Sequence, residues 1–335
     1  MATNSYIKQY PDVMKGKKIL YVHGFGSSGQ SGTVTRIREL LPGTEVIAPD
    51  LPIIPREAMA LLRDTCDEQC PDLIIGTSMG GMYTEMLRGF DRILINPAFR
   101  IGETILKRNM LGKITFFNPR KDGAKDFIMT KHLQEQYLEM CGQCFSGITD
   151  DEQDRVFGLF GTDDPVVDTY GIFSQNYKNA LRFHGEHRMN DTVLMHSVMP
   201  VIRLVDDRQN GICRNIIYIS LEDTMERNGI PMPSMMKTYR YLIEKYDVYI
   251  VAALPDNDSS YPVRMQEWTF DNLGVPAYRK LILTNRKDLL YGDYLIDACS
   301  NGGSADFMST RIELGSETFK TWEDILEFFS RLNGQ

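Results

Sequence analysis

Leu73-Ile74-Ile75-Gly76-Thr77-Ser78-Met79-Gly80-Gly81 is the stretch that leaves this chain the fewest choices of fold. An apolar run entering a Gly-x-Ser-x-Gly pattern reads as a buried strand that turns at once into a helix. Such a turn lifts one serine hydroxyl above the carboxyl ends of a sheet. Gly76 and Gly80 suit it because a side chain at either place would strike neighbouring backbone in so tight a turn. The same five residues would also serve as a purely structural turn, so the surrounding chain has to decide.

Lys17 to Val22 is an apolar strand that ends in the loop His23-Gly24-Phe25-Gly26-Ser27-Ser28. Ser31 to Leu41 has helical spacing, with Val34, Ile37, Leu40 and Leu41 on one face and Ser31 as the N-cap. Glu45 to Pro49 is a second strand, and Arg56 to Glu68 is a helix carrying Met59, Leu62 and Cys66 on the 3.6-residue period. After the serine turn come a helix from Gly80 to Leu87 and a strand at Arg92 to Ala98. Strands alternating with helices at this spacing give a mostly parallel sheet covered on both faces, an α/β fold. Residues 101–154 loosen the pattern and carry Lys107, Arg108, Lys113, Arg120, Lys121 and Lys125. They are expected either as a cap over the serine or as solvated surface helices. Regular spacing returns at Arg155 to Gly161, which leads into Thr162-Asp163-Asp164-Pro165, and again at Ala180 to Phe183, before His184-Gly185-Glu186-His187.

These pieces resemble an α/β-hydrolase, whose triad runs Ser, then Asp, then His along the chain. Ser78 is then the nucleophile. An imidazole removes its proton, and a carboxylate fixes the imidazole tautomer. Asp164 is preferred to Asp163 because it lies beyond the strand end, beside the turn-forming Pro165. His187 is preferred to His184, which still belongs to the strand. His23 precedes the serine and is expected to shape its loop, and His196 on the following helix is expected to be structural. The glycine-rich loop after the first strand is where one oxyanion donor sits, here the Phe25 N–H, with the Met79 N–H as the second.

The resemblance extends to the small bacterial esterases of the YqiA/YcfP type over residues 17–205. It rests on L-Y-V-H-G-F-G-S-S at Leu20 to Ser28, A-P-D-L-P at Ala48 to Pro52, G-T-S-M-G-G at Gly76 to Gly81 and I-N-P-A-F-R at Ile95 to Arg100. The late G-T-D-D-P-V-V-D and G-E-H segments fall at that family's acid and base positions. This likeness implies hydrolysis of a carboxylic ester or thioester by Ser78, Asp164 and His187, with no metal or organic cofactor.

Arg203 to Asn210 reads as a polar hinge, which divides the chain into a hydrolase domain at 1–207, with its cap region at 101–154, and a second, smaller Rossmann-like domain at 211–335. In the second domain four strands are expected, at Asn215 to Leu221, Tyr246 to Ala253, Lys280 to Leu283 and Tyr294 to Asp297. Over residues 212–332 it resembles haloacid-dehalogenase-like (HAD-like) deoxyribonucleotidases, including W-E-D-I-L at Trp322 to Leu326. That family needs a D-x-D whose first aspartate is phosphorylated beside Mg²⁺. Here the pair is Ser220 and Glu222, Ala252 and Ala298 replace two further polar positions, and only Lys287 and Asp297 remain. The resemblance therefore implies a domain without phosphatase chemistry, kept for a structural or regulatory purpose.

The net charge of −8 argues against a nucleic-acid surface. Met1 to Lys18 is polar, and no apolar run approaches the ~18 residues of a membrane helix. A cytoplasmic protein with free thiols is expected. Cys66 and Cys70, one helical turn apart, are expected to pack, and Cys141-Gly142-Gln143-Cys144 lacks the context of a redox or metal motif. The expected partner is a small acyl ester or thioester, with homo-oligomerisation left open. A non-catalytic ligand sensor and a phosphohydrolase working through the second domain are the competing readings.

Overall fold

The computed structural model describes residues 8–334 and divides the chain into two compact units, Met1–Arg208 and Gln209–Gln335. The first seven residues, part of the polar N-terminal segment, lie outside the described residues.

The first unit runs β1 (Lys18–Val22), α1 (Gly32–Leu40), β2 (Glu45–Ile47), α2 (Pro55–Gln69), β3 (Leu73–Thr77), α3 (Met79–Glu85) and β4 (Arg92–Ile95). The 101–154 region follows as α4 (Ile101–Lys107), a hairpin of β5 (Gly112–Thr115) and β6 (Asp126–Met129), α5 (Lys131–Cys141) and the short α6 (Glu152–Arg155). Then come β7 (Val156–Gly161), α7 (Tyr170–Asn176) and β8 (Asn179–Phe183). Last, α8 (Asp191–Val193) passes through one π turn at Leu194–Val198 into α9 (Met199–Gln209). Six strands form one parallel sheet in the order β2-β1-β3-β4-β7-β8. Leu20, Val22, Ile74 and Leu94 join α2, α3 and α5 in one core layer. The alternating residues Ile19, Tyr21, Ile75 and Ile93 face the other way and are equally buried. Both faces are therefore covered, as a parallel sheet requires. The chain leaves β1 towards β2 on one side, while β3 lies on the other. The connections after β1 and β3 thus run to opposite sides of the sheet, the topological switch point where α/β sheets of this kind place their sites.

Several expectations need correction. Residues 203–209 of the stretch read as a hinge are the last part of α9, although the boundary between the two units does fall there, between Arg208 and Gln209. Ile202 and Val205 are buried on the apolar side of α9, and Asp206 is buried against Lys17 Nζ at 2.7 Å, so helical periodicity outweighs the polar composition. Ser31 stands at the N-cap of α1, but its side chain makes no capping bond. Cys66 packs in the core, whereas Cys70 is exposed at the left-handed end of α2 (φ +46°). His184 lies just past β8, which stops at Phe183.

The second unit runs β9 (Ile216–Ser220), the small hairpin β10 (Glu226–Arg227) and β11 (Ile230–Pro231), α10 (Met235–Lys245), β12 (Asp247–Ala252) and α11 (Tyr261–Leu273). It ends with β13 (Leu281–Leu283), β14 (Tyr294–Asp297), β15 (Thr310–Glu313) and α12 (Trp322–Leu332). Its sheet is parallel, in the order β13-β12-β9-β14-β15, so a fifth strand joins the four expected. α10, α11 and α12 contribute Tyr239, Trp268, Trp322 and Phe329 to one core with Ile217, Ile219 and Ile250. The opposite face carries the smaller cluster of Tyr218, Val251, Leu295 and Phe307.

The first unit's geometry leaves no room for a methyl group at Gly80, where a Cβ would lie 2.0 Å from the Val22 carbonyl oxygen. Gly80→Ala is expected to cost at least about 1–3 kcal/mol of stability, because backbone must move. Urea unfolding checks this, and an unshifted midpoint would contradict it.

Candidate active site

β3 ends at Thr77, and Ser78 takes φ +54° and ψ −119° before α3 begins at Met79. A serine at positive φ is strained and needs its surroundings to hold it. The Ser78 N–H donates to the Ile95 carbonyl at 2.9 Å, and the Ser78 carbonyl accepts from the Ala98 N–H at 2.9 Å. The turn is closed by approaches only glycine allows. A Cβ on Gly76 would sit 2.2 Å from Thr84 Oγ1 and 2.5 Å from the Gly80 carbonyl oxygen.

Ser78 Oγ lies 2.9 Å from His187 Nε2, and His187 Nδ1 lies 2.8 Å from Asp164 Oδ2. The other Asp164 oxygen accepts from the N–H groups of Val166 (2.7 Å) and Val167 (3.0 Å). Both carboxylate oxygens are thus engaged, and the side chain is only 3% exposed. A carboxylate accepts only, so His187 carries its proton on Nδ1 and leaves Nε2 free to take one from Ser78. The structure brings Ser78, Asp164 and His187 into one line of hydrogen bonds. Asp163 stays outside it, exposed, with Oδ2 accepting from Thr162 Oγ1, and His184 is likewise exposed.

The loop after β1 runs beside the serine, since a Cβ on Gly24 would lie 3.2 Å from Ser78 Cβ. Among the described residues, neither the Phe25 nor the Met79 N–H donates to a protein acceptor. Two free donors therefore stand near the serine, as an oxyanion site needs. The Phe25 ring meets Phe127 and Tyr137 edge-on, at 5.7 and 6.1 Å between centroids. The 101–154 region also fastens the loop directly. The Phe117 N–H donates to the Gly26 carbonyl at 2.8 Å, Asn118 Nδ2 donates to Ser27 Oγ at 3.0 Å, and Ser28 Oγ donates to the Pro119 carbonyl at 2.6 Å.

A model of the uncharacterised protein family UPF0227 matches residues 18–194, just over half the chain. The chain belongs to this family. A second similarity is to a protein of Vibrio phage KVP40 named as a 5'(3')-deoxyribonucleotidase, 32% identical over 104 residues. That match takes in 31% of this chain and spans 61% of the phage protein's length. Among solved structures, a marine microorganism esterase is 16% identical (61% of this chain, 96% of that one, TM-score 0.36). The thioesterase domain from the curacin biosynthetic pathway is 15% identical (59% and 92%, TM-score 0.34). Est1E from Butyrivibrio proteoclasticus is 18% identical (61% and 92%, TM-score 0.37).

In this UPF0227 chain the remaining histidine near the serine has other work. His23 is 3% exposed, with Nδ1–H donating to the Gly24 carbonyl at 2.9 Å and Nε2 accepting from the Leu51 N–H at 3.0 Å. Both nitrogens are committed to loop geometry. Asn96 is the functional-site residue that sequence reasoning passed over. It is 1% exposed, and its side chain bonds Gly161 on one side and the main chain of Glu186 and His187 on the other. The C-x-x-C pair is half-buried, and desolvation raises both thiols, which disfavours reactive thiolates.

At the strand ends of the second unit, Ser220, Glu222, Lys287 and Asp297 do not form a metal site. Asp297 Oδ2 accepts from Lys287 Nζ (2.7 Å) and Ser304 Oγ (2.7 Å), and its Oδ1 accepts from the Cys299 N–H (2.9 Å). Glu222 accepts from the Ala253 N–H and the Tyr261 hydroxyl. Mg²⁺ needs several hard oxygen ligands free of other partners, and these residues do not fit it. Among the described residues no cluster of three or more His, Cys, Asp or Glu could hold a metal.

Burial lowers the His23 pKa below its ordinary 6.5. Above about pH 6.5 the ring is neutral both folded and unfolded, and its contribution to stability is complete. As pH falls below that, the unfolded chain takes the proton first, and this contribution is lost down to the lower folded pKa. Urea unfolding at about pH 7 and about pH 5 should therefore show a larger loss for wild type than for His23→Gln. Equal losses would contradict the assignment.

Proposed function

We propose that this chain is a serine hydrolase that cleaves carboxylic esters or thioesters through an acyl-enzyme on Ser78. The observation carrying this reading is the unbroken Asp164–His187–Ser78 hydrogen-bond line, with separations of 2.8 and 2.9 Å. His187 Nε2 takes the hydroxyl proton as Ser78 Oγ attacks the acyl carbon, and Asp164 stabilises the imidazolium. The carbonyl oxygen becomes an oxyanion and receives the Phe25 and Met79 N–H groups, each worth ~3 kcal/mol in such a site. Collapse of the tetrahedral intermediate breaks the bond to the leaving alcohol or thiol, which takes the proton from His187. A water molecule, deprotonated by the same nitrogen, then attacks the acyl-enzyme and releases the acid and free Ser78.

The substrate is a small acyl ester or thioester, and the chain acts in the cytoplasm. Among the described residues no helix is long and apolar enough to cross a membrane. The second unit is a HAD-like domain in a structural or regulatory role. The name of the phage KVP40 relative points to nucleotide phosphatase chemistry. Two features of this chain stand against carrying that activity over. Ser220 cannot serve as an aspartyl-phosphate nucleophile, and the Asp297 carboxylate is neutralised by Lys287.

Hydrolysis of short and medium p-nitrophenyl esters by wild type, Ser78→Ala, His187→Ala and Asp164→Asn tests the reading. Ser78→Ala and His187→Ala should lose nearly all activity, and Asp164→Asn about 10⁴-fold in kcat. A serine-directed fluorophosphonate should label wild type and spare Ser78→Ala. A wild type that is inactive on every chain length and resists the label would sink the proposal in favour of a binding protein. Mg²⁺-dependent phosphate release from nucleoside monophosphates that persists in Ser78→Ala would move the activity to the second unit.

A further inference from the structure

We infer that Asn96 is a positioning residue that sets the acid and base loops against the nucleophile, an inference resting on the hydrolase reading above. Asn96 follows β4 directly, at φ +44° and 1% exposed. The backbone there is doubly disfavoured, because the next residue is Pro97 and a residue before proline prefers extended conformations. Such strain persists only where the surroundings over-determine it. Asn is among the few non-glycine residues that tolerate the left-handed region.

Every hydrogen-bonding group of the side chain is used. Oδ1 accepts from the Gly161 N–H at 2.7 Å, at the end of β7 and three residues before Asp164. Nδ2 donates to the carbonyls of Glu186 at 3.0 Å and of His187 itself at 3.1 Å. Asn96 thus ties the acid strand to the main chain of the base residue. That residue needs the tie, since His187 stands on an irregular, largely exposed segment after β8. The acid and base loops also meet through the Asp163 N–H on the Gly185 carbonyl at 3.1 Å. That bond lies two residues from His187 and leaves the histidine's own peptide to Asn96.

The neighbours of Asn96 grip the third loop. Ile95 accepts from the Ser78 N–H, and Ala98 donates to the Ser78 carbonyl. Pro97 accepts from Thr169 Oγ1 at 2.7 Å, beyond the acid loop. Ile95 to Ala98 is therefore bonded to the nucleophile turn, to β7 and to the base. The Asn96 N–H donates to the Leu159 carbonyl of β7 at 2.8 Å, and within the tetrapeptide it is the Asn96 side chain that reaches both Gly161 and the base. An amide is suited to this because it offers two donors and an acceptor in one plane without a charge that the buried site would have to compensate.

Asn96→Gly tests this, because glycine keeps the left-handed backbone at no cost and deletes the three side-chain bonds. The readouts are kcat and KM on p-nitrophenyl esters, the rate of fluorophosphonate labelling, and the low-field ¹H resonance of the His187 Nδ1–H, assigned by its loss in Asp164→Asn. The expected result is a fall in kcat of about 100-fold, the scale of a displacement near 1 Å, with KM changed by less than about threefold. Labelling should slow in parallel, and the resonance should shift or broaden. A folded Asn96→Gly with kcat within about twofold of wild type and an unmoved resonance overturns the inference. Should that variant fail to fold, Asn96→Ser decides by the same criteria. It removes both amide donors to the base loop and adds no charge to the buried site. A wild type that shows the resonance but hydrolyses no ester defeats the hydrolase reading alone, and the resonance in Asn96→Gly still decides the positioning role.

Discussion

The close approach of β1, β3 and α3 around Gly76 and Gly80 is the constraint on which the first unit depends. A helix that starts the residue after a strained serine must press its first turn against the preceding strand, and only missing side chains allow that. A methyl group on Gly80 would meet the Val22 and His23 carbonyls. Those carbonyls belong to the strand end that begins the Phe25 loop, so the same contact that shapes the nucleophile turn also fixes the neighbouring amide donors. Packing and chemistry are set by one interaction. The strain at Ser78 is borne by backbone bonds to Ile95 and Ala98, which makes β4 the support of the site and not merely its neighbour in the sheet.

Charge holds the far end of α3. Glu85 is fully buried and accepts from the Tyr177 hydroxyl, the Phe145 N–H and Arg88. Arg92 is fully buried at the start of β4 and pairs with Glu152 of α6. Burial pulls the Arg92 pKa down to about 10, still high enough to keep the guanidinium charged near neutral pH. Buried ion pairs of this kind gain little net stability, but losing one partner leaves a stranded charge and costs about 3–5 kcal/mol. Their effect is geometric: they lock α3 and β4 to the end of the 101–154 region. Through the loop of its β5–β6 hairpin that region is stitched to Gly26, Ser27 and Ser28 by the bonds of residues 117–119. The region is thus tied both to the support of the nucleophile and to the loop carrying a candidate oxyanion donor.

Much of this was legible in the residues. Strand–helix alternation and the Gly-x-Ser-x-Gly turn are local patterns, and Asp164 and His187 stand in the loops after β7 and β8, in hydrogen-bond line with Ser78. What escaped was non-local or weakly patterned. Asn96 looks like an ordinary strand-end residue, and its role exists only once β7 and the base loop arrive beside it; the Asn-Pro pair was its one local sign. The strand Thr310–Glu313 buries Ile312 while Thr310 and Glu313 stay exposed, too little apolar periodicity to announce an edge strand. The hairpin at Glu226 to Pro231 could have been read from Asn228-Gly229, a favoured two-residue turn, and both residues do take positive φ. The 203–210 stretch does contain the boundary between the units, but its helical conformation was masked for a physical reason. Polar residues that find partners inside the first unit look from composition like a linker.

The two units place polar side chains at the carboxyl ends of parallel strands and use them in opposite ways. In the first, the donors and acceptors are arranged in series, from the Val166 and Val167 amides to Asp164, then His187, then Ser78. Each bond but the last fixes the next group, and the line ends at the half-buried Ser78 hydroxyl. In the second, Lys287 and Asp297 satisfy each other, while the buried Ser220 hydroxyl has no hydrogen-bond partner among the described residues. Lys287 neutralises Asp297, Ser304 and the Cys299 N–H bond the same carboxylate, and Tyr261 and the Ala253 N–H both bond Glu222 Oε1. A carboxylate held by a lysine and two further donors has less to offer a metal, and a lysine already paired has less pull on a phosphate. Such closure favours rigidity over exchange with ligand. It follows from the side chains already at the strand ends, and it separates the unit whose polar groups form a line ending at Ser78 from the one whose lysine and carboxylate are spent on each other.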